Sequence, residues 1–84
     1  MKLFHIDDPL VPNRPETCLN FNFDRGFEMS KFMMSIASLC ERSRQQGHII
    51  WNSSGYTVTL WLSDPKIESI VLLQAPIPQV KQNA

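Results

Sequence analysis

The side chains best suited to chemistry in this 84-residue chain are His5 and His48, Cys18 and Cys40, and a scatter of carboxylates. A metal site or an acid–base pair needs such groups at short, recurrent spacing, as in His-x-x-x-His on one helix face or paired Cys-x-x-Cys motifs. The two histidines lie far apart, and neither cysteine has a near partner. Asp7 and Asp8 solvate a turn before Pro9. Asp24 fits a helix cap better than an acid, and Glu41 fits a solvated helix residue beside Arg42 or Arg44. Ser53 and Ser54 lack an activating base. No glycine-rich phosphate loop occurs. No catalytic residue, metal or cofactor is therefore expected. His48 reads as a structural or surface residue, with ligand binding as the alternative.

Contact chemistry is better represented. Arg42 and Arg44, extended by Lys31, read first as a solvated helix face and otherwise as a patch for an acidic partner. Eight basic residues balance eight acidic ones, so the chain lacks the basic excess with which a nucleic-acid binder neutralises phosphates. Zero net charge also removes a barrier to self-association. Two cysteines make no disulfide framework. MKLFHIDDP places acids and proline where a signal peptide would be apolar, and no 18-residue apolar run follows. The expected location is cytoplasmic, with no membrane partner.

The elements that must position these groups begin with Phe27–Gln46. Met29, Phe32, Met33, Ile36, Leu39 and Cys40 recur at spacings of three and four, which predicts one helix with a broad apolar stripe. Asp24 is the expected N-cap and Gly47 the expected left-handed terminator. Met34 falls off the stripe and reads as tolerated surface or, beside Phe27 or Met33, as part of a contact patch. In Thr17–Phe23, Leu19, Phe21 and Phe23 alternate with Cys18, Asn20 and Asn22, the period of a half-buried strand. Lys2–Ile6 reads as an edge strand, followed by a connection carrying Pro9, Pro12 and Pro15.

His48–Trp51 and Tyr56–Leu62 predict a hairpin turning at Asn52-Ser53-Ser54-Gly55. Tyr56, Val58, Leu60 and Leu62 would face the helix. Trp61 then points the other way, toward a partner or under a covering loop. Ile67–Ala75 reads as a third consecutive strand from its β-branched content, although Pro65 and the spacing of Ile67, Ile70 and Val71 also allow a short helix. The expected fold is α+β: an antiparallel sheet of four or five strands, order β-β-α-β-β-β, with one main helix across one face. Residues 1–78 form one domain and 79–84 a flexible tail. Pro76-Ile77-Pro78 is a candidate extended recognition segment.

Phe21-x-Phe23, Phe32-Met33-x-x-Ile36-Ala37-x-x-Cys40-Glu41, His48, Trp51 and Tyr56-x-Val58-x-Leu60 together resemble the pterin-4a-carbinolamine dehydratase family, over roughly half the chain. The resemblance implies a strand–helix–hairpin order, dimerisation, and a pterin site containing His48 and Trp51. It departs at the chemistry. Gln45-Gln46-Gly47 stands where the family places His-His-Pro, and Leu62-Ser63-Asp64 where a further histidine would follow. Glutamine exchanges no proton near neutral pH.

The leading expectation is thus a non-enzymatic interaction or regulatory domain. It would self-associate through a sheet edge or an exposed aromatic and methionine patch, with Trp61, Met34, Lys31, Arg42 and Arg44 as contact residues. The alternatives are a divergent pterin-binding dehydratase using His48 and Trp51, and a nucleic-acid-associated regulator.

Overall fold

The computed structural model describes residues 1–74 and the backbone of 81–83. The chain runs β1 (Lys2–His5), β2 (Thr17–Asn22), α1 (Gly26–Arg42), β3 (His48–Ser54), β4 (Thr57–Leu62), α2 (Lys66–Leu72) and β5 (Lys81–Asn83). It is an α+β fold. Four strands lie in the order β1-β3-β4-β2, and the short β5 adds beside β2.

Two expectations fail here. The sheet is mixed rather than antiparallel, because β1 runs parallel to β3 with Lys2 opposite His48 and His5 opposite Trp51. The segment after Ser63 is a helix, so the order is β-β-α-β-β-α before the terminal strand. Three features favour α2. The Asp64 carboxylate accepts from the Lys66 amide at 3.0 Å, Pro65 precedes the first turn, and Ile67 and Val71, four apart, are both buried. A strand would have put these two on one face as well. The Asp64 carboxylate and Pro65 at the start are what distinguish the helix, and Leu72 and Leu73 at its end are left exposed.

β2 alternates as its sequence dictates. Leu19, Phe21 and Phe23 enter the main core with Phe32, Ile36 and Cys40 of α1, Ile49 of β3, Val58, Leu60 and Leu62 of β4, and Ile67 and Val71 of α2. Phe32 sits against both Phe21 and Phe23, with ring centroids 4.7 and 5.3 Å apart. Both helices therefore cover the same face.

The helix ends earlier than the expected Phe27–Gln46. It begins after Arg25, without a side-chain cap from Asp24, and ends at Arg42, where extended Ser43 leaves the helix. Gly47 still adopts a positive φ of 122°, but as the bend into β3. A Cβ there would meet Ser63 Oγ at 2.9 Å, so a side chain would be both strained and crowded. The hairpin turn is also tighter than expected. Asn52, Ser53 and Ser54 remain in β3, and Ser54 pairs with Thr57. Gly55, with φ of 60°, takes the first central position, where a two-residue type II′ turn needs glycine.

The tail expected at 79–84 contains β5, whose backbone pairs Lys81 with Leu19 and Asn83 with Thr17. The proposed recognition segment Pro76-Ile77-Pro78 lies outside the described residues.

Candidate functional site

A helix turns 100° per residue, so Phe27 and Met34, seven apart, lie 20° from each other around α1 and about 10 Å apart along it. Both point away from Phe32, Ile36 and Cys40. Phe27 is 58% exposed and Met34 71%. Lys31 lies between them on the same face. Tyr56 of the hairpin turn is also exposed, and its ring edge reaches the backbone at Gly26. A groove of about 350 Å³ runs alongside, lined by Phe27, Glu28, Lys31, Phe32, Ser35 and Gln74. The sequence signal for Phe27 was available: it stands directly opposite the apolar stripe. The alternation places Tyr56 on the buried face of β4, but it lies in the turn before the strand starts.

Trp61 has a different environment. It is 9% exposed and packs with Cys18 and Ile50 on the second face of the sheet, under Phe4, Ile6 and Val11. The Arg14 guanidinium lies over its ring, 5.4 Å from the centroid. Cover by the proline-bearing connection, rather than an open contact surface, is what the structure shows for this residue.

His48 and Trp51 do not share a pocket. Three residues apart on one strand, they point to opposite faces. Trp51 packs against the helix-side core and takes the edge of His5, with ring centroids 4.4 Å apart. His48 lies on the other face, edge-on to Phe4 at 6.0 Å. Its backbone amide donates to Ser63 Oγ at 2.8 Å. Its Nε2 is shielded from solvent and has no hydrogen-bond partner, a situation that costs on the order of 1–3 kcal/mol.

The cations are similarly dispersed. Lys31 borders the α1 groove. Arg42 folds back along its own helix, Nε donating to the Ser38 carbonyl at 3.3 Å, a use of the cation at a helix C-terminus. Arg44 joins Lys2, Gln45, Gln46, Gly47 and His48 around a hollow of about 430 Å³, whose apolar lining is Phe4, Leu10 and Pro12. The three do not form one patch.

Cys18 and Cys40 are both free and buried, one on each face of the sheet. Burial pushes both thiols above their ordinary value; Arg14 partly offsets this at Cys18, and the N-terminal ammonium at Cys40. Neither is primed as a nucleophile. Among the described residues, no three His, Cys, Asp or Glu side chains converge as a metal site, and no helix is long and apolar enough to cross a membrane.

The chain matches no family model, no curated protein and no solved structure. The strand–helix–hairpin order that the resemblance implied occurs in β2, α1, β3 and β4, but that order alone assigns no family.

Proposed function

We propose that this chain is a non-enzymatic interaction domain that self-associates through the outer face of α1. The carrying observation is the pair Phe27 and Met34, two large apolar side chains on the solvent side of a helix whose other side builds the core. The occupant that fits is a second copy. Zero net charge imposes no long-range repulsion. A two-fold axis pairs a patch with itself, so antiparallel contact would set Phe27 of one copy against Met34 of the other.

Light scattering across a dilution series should show a monomer–dimer equilibrium. Combined Phe27→Ser and Met34→Ser substitutions should abolish it while leaving the thermal transition in place. A wild-type monomer at all concentrations, or a double variant that associates unchanged, would overturn the reading.

The unchanged double variant would instead favour β1. Lys2 and Ile6 donate their amides inward, to Gly47 and Trp51 carbonyls at 3.2 and 2.9 Å. By the alternation of a parallel ladder, the amides of Leu3 and His5 point outward along an edge that no described strand pairs. Slowed hydrogen exchange at Leu3 and His5 on concentration would identify that edge as the contact.

A further inference from the structure

We propose that the hollow formed by the start of β1, the connection after it and residues 44–48 binds a small organic anion: a carboxylate or phosphate carried on an apolar ring. This site is separate from the α1 face and stands independently of self-association.

Two cationic side chains, Lys2 and Arg44, line one cavity beside His48, and no carboxylate does. The fold brings them together. Parallel pairing sets Lys2 opposite His48, and the turn through Gln45, Gln46 and Gly47 returns Arg44 to the same place. Within the described residues, neither Lys2 nor Arg44 has a carboxylate at ion-pair distance; the one close contact of an imidazole with a carboxylate is His5 with Asp7, at 3.8 Å. Positive groups are thus concentrated in a concave site without internal neutralisation, which is the electrostatic condition for holding an anion.

The neighbouring chemistry narrows the ligand. Gln45 and Gln46 supply neutral amide donors, useful for orienting oxygens and incapable of proton transfer. Phe4, Leu10 and Pro12 provide an apolar wall, and Leu10 is largely exposed despite its size. A cavity of about 430 Å³ falls within the usual range for small-molecule sites and exceeds what a bare inorganic anion would fill. The combination selects an anionic head with an apolar body.

The test is a titration of the ¹⁵N-labelled full chain, followed by amide chemical shifts, with phenyl phosphate, benzoate, phenol and inorganic phosphate as separate probes. Saturable shifts at Lys2 and residues 44–48 are expected with phenyl phosphate or benzoate, and the stronger of the two identifies the head group. Removing the cations with Lys2→Gln and Arg44→Gln, both at exposed positions, should weaken binding roughly tenfold or more, as expected for losing charge-assisted hydrogen bonds. Leu10→Ser should weaken the aromatic anions and leave inorganic phosphate unaffected. Absence of saturable shifts, phenol binding as tightly as phenyl phosphate, or full affinity in the Lys2→Gln, Arg44→Gln chain would each overturn the proposal. A thermal transition recorded on each variant separates loss of binding from loss of fold.

Discussion

The two faces of the sheet are closed by different means. On one, α1 and α2 contribute five buried side chains to a continuous core with β2, β3 and β4. On the other, Cys18, Ile50 and Trp61 form a small cluster beneath the connection between β1 and β2. That second face changes character along its strands. Thr57 and Thr59 donate to Asn22 and Asn20 side chains, each at 2.7 Å, and only beyond them does Cys18 meet Trp61. A helix hides an apolar face through its own regular stripe. A proline-bearing connection hides only what its few apolar residues reach, so the sheet beneath turns polar where that cover stops.

Truncation should expose this difference in order of size. Phe21→Ala, under α1, is expected to cost about 4 kcal/mol and to leave little folded protein in a urea titration. Trp61→Ala should cost less, about 3 kcal/mol at the low end for such truncations, because its surroundings can collapse and its removal opens a cavity at the rim. Equal losses would mean the connection covers as effectively as the helices. Arg14→Ala removes the guanidinium over Trp61 and should lower stability by about 0.5–1 kcal/mol, the range of an exposed cation–π contact, with a change in tryptophan emission as the second readout.

The smallest effect is alkaline. Each folded thiol is raised above its ordinary value, so the unfolded chain loses these protons first as pH rises. Stability is then fully present below the ordinary thiol range and declines above it. Cys18→Ser and Cys40→Ser should each flatten part of that decline in denaturation curves taken at several alkaline pH values. Alkylation mapped by mass should reach Cys18 before Cys40, since a connection opens more readily than two packed helices. The reverse order would mean that the helix face opens first.

Much of the helix-side core was legible because its signals are local. The period of two in β2 and the three–four spacing in α1 each report a buried face without knowledge of its partner. The partnership of β1 with β3 was not legible, since nothing in Lys-Leu-Phe-His distinguishes a parallel neighbour from an antiparallel one. The strand reading of Ile67–Ala75 gave weight to β-branched residues, and the structure sided with Pro65 and the Asp64 carboxylate. For the candidate sites, Met34 could be seen as off-stripe with Phe27 beside it, but their forming the exposed face of the helix could not. The joint placement of His48 and Trp51 failed on parity: an odd spacing in a strand separates two side chains. The hollow holding Lys2 with Arg44 was invisible, because it depends on pairing between distant parts of the chain.

The parallel contact of Lys2–His5 with His48–Trp51 also sets an order of events. During synthesis β1 leaves the ribosome first, yet its partner appears only after β2 and the whole of α1. Closing so long a loop is slow relative to forming a helix or hairpin. β1 is therefore made well before it finds its neighbour, and for that interval its apolar residues depend on the β3 segment arriving.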